Sequence, residues 1–252
     1  MLQADALGIR VANRELVRAL DLRLAPGQFI AVLGCNGSGK TLTLQTLAGL
    51  RPADHGEVRL QGASIRPLPS RRRARQLAFL PQDFDTWGAA TAIETVRIGR
   101  YAHASTWALG GPNDDERVIA AMRATGVESL AQRTTVSLSG GEQRRVAIAT
   151  VLAQDAPIAL LDEPTNHLDP QHAIAMLQLF AAQAERGGAV IATLHDATLA
   201  ARFASHVLLL FGDGRWEYGP AADVLQTTRL SELYATPIIE ARVAGRRLFA
   251  AG

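Results

Sequence analysis

The segment Gly34-Cys-Asn-Gly-Ser-Gly39-Lys40-Thr41 constrains this chain more than any other stretch of its 252 residues. It satisfies G-x-x-x-x-G-K-S/T, with a continuous apolar run over 29–33 before it and a helical pattern over 42–50 after it. Glycines at these positions let the backbone wind so that successive N–H groups face one anion, and the following helix start adds its positive end. A strand feeding such a loop and a helix leaving it place the chain in an α/β architecture, with a phosphate cradle at a strand's carboxyl end. Lys40 sharpens the reading. Of 26 basic side chains it is the one lysine, and all the others are arginine. A compact ammonium suits the β- and γ-phosphates of a nucleotide, where a planar guanidinium would fit poorly, and Thr41 offers a hydroxyl to Mg²⁺. With that lysine committed, none is left for an Asn-Lys-x-Asp guanine-reading element, which excludes guanine specificity of that kind.

Further apolar runs fall at 77–80, 158–161, 190–194 and 207–211. They are continuous rather than alternating, the pattern of a mostly parallel sheet covered on both faces. Helices are predicted at 40–50, 140–154, 171–185 and 196–204. Between about 86 and 150 no strand run appears and helix formers dominate 114–131, so this stretch is predicted to be a helical insertion. The first 25 residues and the tail after 220 suit flanking strands and short helices. The whole chain, 1–252, reads as one domain with a core of about 1–85 and 151–252 and a helical subdomain of about 86–150.

A composition of 48% apolar and 20% charged residues is ordinary for a globular chain. The net charge of +2 gives little attraction for nucleic acid, and the pI of about 9.1 reflects the arginine preference. One cysteine, Cys35, permits no internal disulfide. The opening MLQADALGIR lacks a signal-peptide pattern, and no apolar stretch approaches a membrane span. A soluble chain is expected, whose membrane role would run through a partner.

Two more constellations carry chemistry. Ile158-Ala-Leu-Leu-Asp162-Glu163-Pro164 puts two acids at the end of a buried strand. Asp162 suits the Mg²⁺ shell, and Glu163 suits a base that polarises water toward a γ-phosphorus. In Leu138-Ser-Gly-Gly-Glu142, the residues Ser139, Gly140 and Gly141 open a helix and present N–H groups and a hydroxyl to an anion. The chain therefore carries two anion cradles about a hundred residues apart. One nucleotide would be gripped by both only if the second came from another subunit.

The phosphate loop, the L-S-G-G-E string and the D-E-P strand end, in this order, resemble the ATP-binding-cassette (ABC) ATPases over nearly the whole chain. The resemblance implies a phosphate-loop NTPase core with a mostly parallel sheet, antiparallel N-terminal strands and an inserted helical subdomain. It implies ATP as ligand, bound by residues 34–42 (Gly34, Cys35, Asn36, Gly37, Ser38, Gly39, Lys40, Thr41 and Leu42). Ser139, Gly140, Gly141 and Glu142 would complete the site from the other subunit. It gives Mg²⁺ to Thr41, Gln82 and Asp162, and hydrolysis to Glu163, His195 and Gln82. Gln82, in Leu80-Pro-Gln82, matches the glutamine that contacts the metal and couples to membrane subunits. Asp169, in Asn166-His-Leu-Asp169, matches the loop that crosses the dimer interface, although Asp before Pro170 is equally a good helix cap. His195, in Thr193-Leu-His195-Asp196, matches the histidine that meets the γ-phosphate. The other histidines show no ligand spacing.

Within the family, Gly99-Arg-Tyr101-Ala-His103, Leu68-Pro-Ser-Arg-Arg and Leu152-Ala-Gln-Asp155 are similar to ATPases of importers for iron chelates, haem and cobalamin. The resemblance then implies a homodimer on the cytoplasmic face of the inner membrane. Two integral-membrane permease subunits would hold it there, and a periplasmic binding protein would act indirectly. Another importer or exporter class is the alternative, followed by a soluble cassette ATPase and a regulatory module that no longer hydrolyses ATP. Three positions depart from the family. Val11 stands where an aromatic residue usually stacks on adenine, with Phe29 and Tyr101 as candidate substitutes. Leu42 replaces a hydroxyl residue and Cys35 a proline. The run Arg71-Arg-Arg-Ala-Arg75 reads first as a solvated helix face and second as a patch near anionic headgroups.

Overall fold

In the computed structural model, residues 1–83, 90–103 and 112–252 are described; the parts of the expected helical insertion at 86–89 and 104–111 lie outside them. The chain opens with strands β1 (Leu2–Val11), β2 (Arg14–Leu24) and β3 (Phe29–Leu33), helix α1 (Lys40–Leu47), and strands β4 (His55–Leu60) and β5 (Ala63–Ser64). Next come α2 (Ser70–Ala74), β6 (Leu77–Leu80), α3 (Ala92–Ile98), a 3₁₀ turn (Gly99–Ala102), α4 (Pro112–Ala124) and α5 (Gly140–Gln154). Then follow β7 (Ile158–Leu161), α6 (Pro170–Glu185), β8 (Ala189–Thr193), α7 (Ala197–Phe203), β9 (His206–Leu210) and β10 (Trp216–Pro220). Two helices, α8 (Ala221–Val224) and α9 (Thr227–Tyr234), lead into a terminal hairpin of β11 (Ile238–Val243) and β12 (Arg246–Ala251).

The elements gather into two compact units. The first holds Met1–Pro67, Leu160–Glu163 and Ala181–Gly252, and the second holds Leu68–Ala159 and Pro164–Phe180. In the first, β3 is flanked by β8 and β9, both parallel to it, with β10 antiparallel beyond β9. All five residues of β3 and of β8 are buried, as their continuous apolar runs require. The parallel neighbours fix where strands end, and the phosphate loop leaves the carboxyl end of β3.

The antiparallel sheet of the first unit has the order β2-β1-β4-β5. Its long strands hide their alternation. The β1–β2 register shifts between Ala4 and Leu7 and again between Leu7 and Ile9, and Ala6 and Ala19 take positive φ there. Each bulge resets which side chains face inward, so Leu2, Ala4, Leu7 and Ile9 all end buried despite uneven spacing.

The second unit has its own core. Ala92 and Val96 of α3, Val118, Ala121 and Met122 of α4, and Val146, Ala149 and Ala153 of α5 form one buried apolar cluster with Val127 and Leu138. Within the stretch 114–131, where helix formers dominate, α4 stops at Ala124, Gly126 takes a positive φ, and a 3₁₀ turn follows at Glu128–Leu130. Among the described residues, no helix is long and apolar enough to cross a membrane.

Candidate active site

The phosphate loop wraps tightly in the first unit. A side chain at Gly34 would collide with Ser38 Oγ and the Leu210 carbonyl at the end of β9, so only glycine admits this approach. Gly39, at φ 98°, turns the chain directly into α1. Lys40 is 5% exposed, and its ammonium donates to the carbonyls of Gly34 at 2.8 Å and Cys35 at 3.1 Å. Burial lowers the Lys40 pKa from its usual value, while Glu163 first and Asp162 next oppose the shift. Among the described residues, Ser38 Oγ is buried without a hydrogen-bond partner. An orphaned hydroxyl and an ammonium resting on its own loop's carbonyls suit a cradle that takes phosphate oxygens.

At the end of β7, Asp162 is fully buried and Glu163 is 7% exposed. Thr193, at the end of β8, joins them. Its hydroxyl donates to Asp162 Oδ1 at 2.7 Å and accepts from the Glu163 backbone N–H at 2.7 Å. Glu163 adopts φ 49°, and its Oε1 lies 2.6 Å from His195 Nε2. The carboxylate is 8% exposed and the imidazole 46%, so the pair meets at the surface with the acid on the protected side. The first unit therefore brings together Lys40, Asp162, Glu163 and His195. Thr193 was missed as a functional residue in the sequence. It opens the string Thr193-Leu-His195-Asp196, but a threonine closing a strand carries no signal by itself.

The second unit carries Ser139, Gly140, Gly141, Glu142, Asp169 and Gln82. Ser139 caps α5 in a reciprocal box: the Glu142 carboxylate accepts from the Ser139 N–H at 2.8 Å and from its hydroxyl at 2.9 Å. Gly140 and Gly141 form the first turn behind it, and a side chain at Gly141 would start 3.0 Å from the His167 carbonyl. Asp169 accepts from the His172 N–H at 2.8 Å and meets His172 Nδ1 at 2.8 Å, the geometry of a cap on α6. Gln82 follows β6, and its carbonyl accepts from Arg144 at 3.0 Å.

The departures also find places. Val11 is 48% exposed, while Phe29 is 2% exposed inside β3 and offers no face to a base; Tyr101 is 69% exposed in the second unit. Leu42 is half-buried in α1. Cys35 is exposed, with its thiol 3.0 Å from the Leu233 carbonyl. The G-R-Y-A-H stretch is a structural stitch: Arg100 pairs with Asp114 at 2.7 Å and donates to the Ala153 carbonyl at 2.8 Å, and His103 Nε2 meets the Gln154 carbonyl at 2.9 Å. Two arginines of the charge run, Arg71 and Arg75, donate to the Ala102 carbonyl rather than standing free. Among the described residues, no group of three or more His, Cys, Asp or Glu side chains would hold a metal ion by itself.

Comparison with known proteins agrees with this geometry. The family model for the ABC transporter matches residues 17–166. The hemin import ATP-binding protein HmuV of Pseudomonas entomophila is 43% identical over 215 residues, which are 83% of each chain. The ferric enterobactin transport ATP-binding protein FepC of Escherichia coli is 36% identical over 98% of this chain and 92% of its own. Among solved structures, a metal-chelate type ABC transporter in an inward-facing conformation matches with TM-score 0.85 and 26% identity, covering 100% of this chain and 97% of that one. A dimeric ATP-binding cassette in a post-hydrolysis state, bound to ADP and Pi, matches with TM-score 0.77 and 27% identity over 86% and 98%. The two acids joined by Thr193, the phosphate loop and these relatives lead to one conclusion: the chain belongs to the ABC transporter family, as one of its ATPases.

Proposed function

We propose that this chain is the nucleotide-binding subunit of an importer for an iron chelate, hemin before ferric siderophores. It binds and hydrolyses ATP in a head-to-tail homodimer. The observation that carries the site is the Glu163–His195 pair at 2.6 Å beside the buried Lys40 loop. The cargo class is supported by relatives named for hemin import and ferric enterobactin transport. In this reading the phosphate loop of one copy and Ser139, Gly140 and Gly141 of the other sandwich each ATP, and Asp169 lies at the interface between copies. The hard oxygen donors Thr41 and Asp162 fit Mg²⁺, which supplies positive charge against the phosphate oxygens. Lys40 holds the β- and γ-phosphates, Glu163 takes a proton from the attacking water, and His195 meets the γ-phosphate. ATP favours the closed dimer and loss of the γ-phosphate reopens it, which drives two permease subunits at the cytoplasmic face of the inner membrane.

Capture of tagged Glu163→Gln chain with ATP from detergent-solubilised native membranes tests this. Recovery of a polytopic permease that, reassembled with the wild-type chain, gives ATP turnover rising with hemin-loaded binding protein supports the proposal. Recovery of soluble or nucleic-acid partners alone overturns it. Stimulation by a ferric siderophore and not by hemin would move the cargo within the class.

A further inference from the structure

Residues 227–251 lie beyond the matched stretch 17–166, yet their contacts run to the loops of the active site. The carbonyl of Leu233, near the end of α9, accepts from the Cys35 thiol at 3.0 Å. Proline, the family's usual residue at 35, has no such donor. The next residue, Tyr234, brings its hydroxyl within 3.5 Å of the His195 carbonyl. From the hairpin, Phe249 N–H donates to Thr198 Oγ1 at 3.0 Å, and the same hydroxyl stands 3.4 Å from the Phe249 carbonyl. Thr198 is in turn bound to Asp196, whose carboxylate accepts its N–H at 2.7 Å. The stretch 195–198 is therefore held at both ends.

The holder is one piece. Ser231 Oγ of α9 accepts from Ile238 N–H at 2.8 Å, at the start of β11. Arg247 of β12 reaches both carboxylate oxygens of Glu240 at 2.9 Å and also donates to the Leu225 carbonyl. Displacement of the hairpin would thus be felt in α9 and in the His195 loop together. His195 has room to move without such support, because its ring is 46% exposed. The Tyr234 hydroxyl stays protonated at any working pH. Burial first, then the neighbouring Cys35 and Asp196, push its pKa up to about 12.

We infer that Tyr234 and Thr198 are positioning residues through which the C-terminal tail aims His195 at Glu163. The inference rests on the reading of Glu163 and His195 as the hydrolytic pair. A chemical step is sensitive to small misplacements of its groups, whereas nucleotide affinity here depends on the separate phosphate loop. Through Tyr234 and Thr198, whose hydroxyls bond the His195 and Phe249 backbone rather than the phosphate loop, the tail therefore acts on kcat and leaves KM for ATP alone.

The test is steady-state ATP turnover by the full chain, with melting temperatures measured alongside. The double variant Thr198→Val/Tyr234→Phe is expected to lose about tenfold in kcat with KM within about twofold of wild type and an unchanged melting temperature. Thr198→Ser, which keeps the hydroxyl, is expected to turn over like wild type. If the double variant matches wild type while His195→Ala is inactive, the tail does not position His195 and the inference is overturned. A loss of kcat that tracks melting temperature, or that Thr198→Ser shares, assigns the contacts to stability and overturns it as well. If His195→Ala itself turns over like wild type, the hydrolytic pair is wrong and the inference falls with it, which is a different failure. Should the double variant not fold, Thr198→Val alone against Thr198→Ser decides by the same criteria.

Discussion

Glu163 stands at φ 49°, a left-handed conformation that an ordinary side chain seldom adopts. Such strain costs on the order of 1–3 kcal/mol and persists only where its surroundings over-determine it. Thr193 does so, by holding the Glu163 N–H and the Asp162 carboxylate with one hydroxyl. Thr193→Val keeps the volume and leaves both buried groups short of a partner. It is expected to cost about 1–3 kcal/mol in urea unfolding and to lower ATP turnover about tenfold or more. Unchanged values of both would remove Thr193 from the site. Lys40 allows a sharper substitution. Its ammonium sits in a slot bounded by the Gly34 and Cys35 carbonyls, which a planar guanidinium overfills. Lys40→Arg is therefore expected to weaken ATP binding about 10–100-fold in a nucleotide titration although the charge is kept; affinity near wild type would contradict the slot. Lys40 was legible because one lysine among arginines marks its own position. Thr193 was not, because its two partners lie about thirty residues away and threonine is a common strand-end residue.

Elements whose signal is local were legible, and those whose geometry depends on a distant chain were not. The start of α5 was readable from Ser139 opening a helix with Gly140 and Gly141, and β3 from its continuous apolar run. The bulged hairpin of β1 and β2 was not, since each register shift breaks the period-two alternation that marks a strand. Gly99 shows the same limit. It was read as part of a subclass signature, but a side chain there would strike the Thr150 carbonyl of α5. Gly99→Ala is expected to lower the melting temperature by several degrees through the second unit's helices, and a neutral result would show that α3 moves aside freely. The cap on α5 carries a pH dependence. The Ser139 backbone N–H, then its hydroxyl, holds the Glu142 carboxyl below its usual 4.5. A depressed acid contributes its stability fully above the unfolded value and loses it as pH falls through the lowered value. Wild-type melting temperature should therefore fall below about pH 4.5 more steeply than that of Glu142→Gln. Parallel curves would show that the box does not titrate.

At the scale of the molecule, each unit carries a different part of the proposed ATP site. The first holds the phosphate loop with Asp162, Glu163 and His195, and the second holds α5, capped by Ser139 of the L-S-G-G-E signature, with its own apolar core. Order along the chain made the membership legible: phosphate loop, L-S-G-G-E string and acidic strand end follow one another in the order that carries the family resemblance. The role of the C-terminal tail was not legible, because α9 and the hairpin reach Cys35, His195 and Thr198 only after the chain has folded back. The central claim is that two copies close on ATP between the loop of one and the signature of the other. Light scattering of Glu163→Gln, with and without Mg²⁺ and ATP, tests it most directly, with Lys40→Ala as its partner. The predicted result is a mass of twice the chain's 26.9 kDa for Glu163→Gln only when Mg²⁺ and ATP are present, and a single-chain mass for Lys40→Ala throughout. A Glu163→Gln chain that stays single with ATP, or dimers formed equally by both variants, would contradict it.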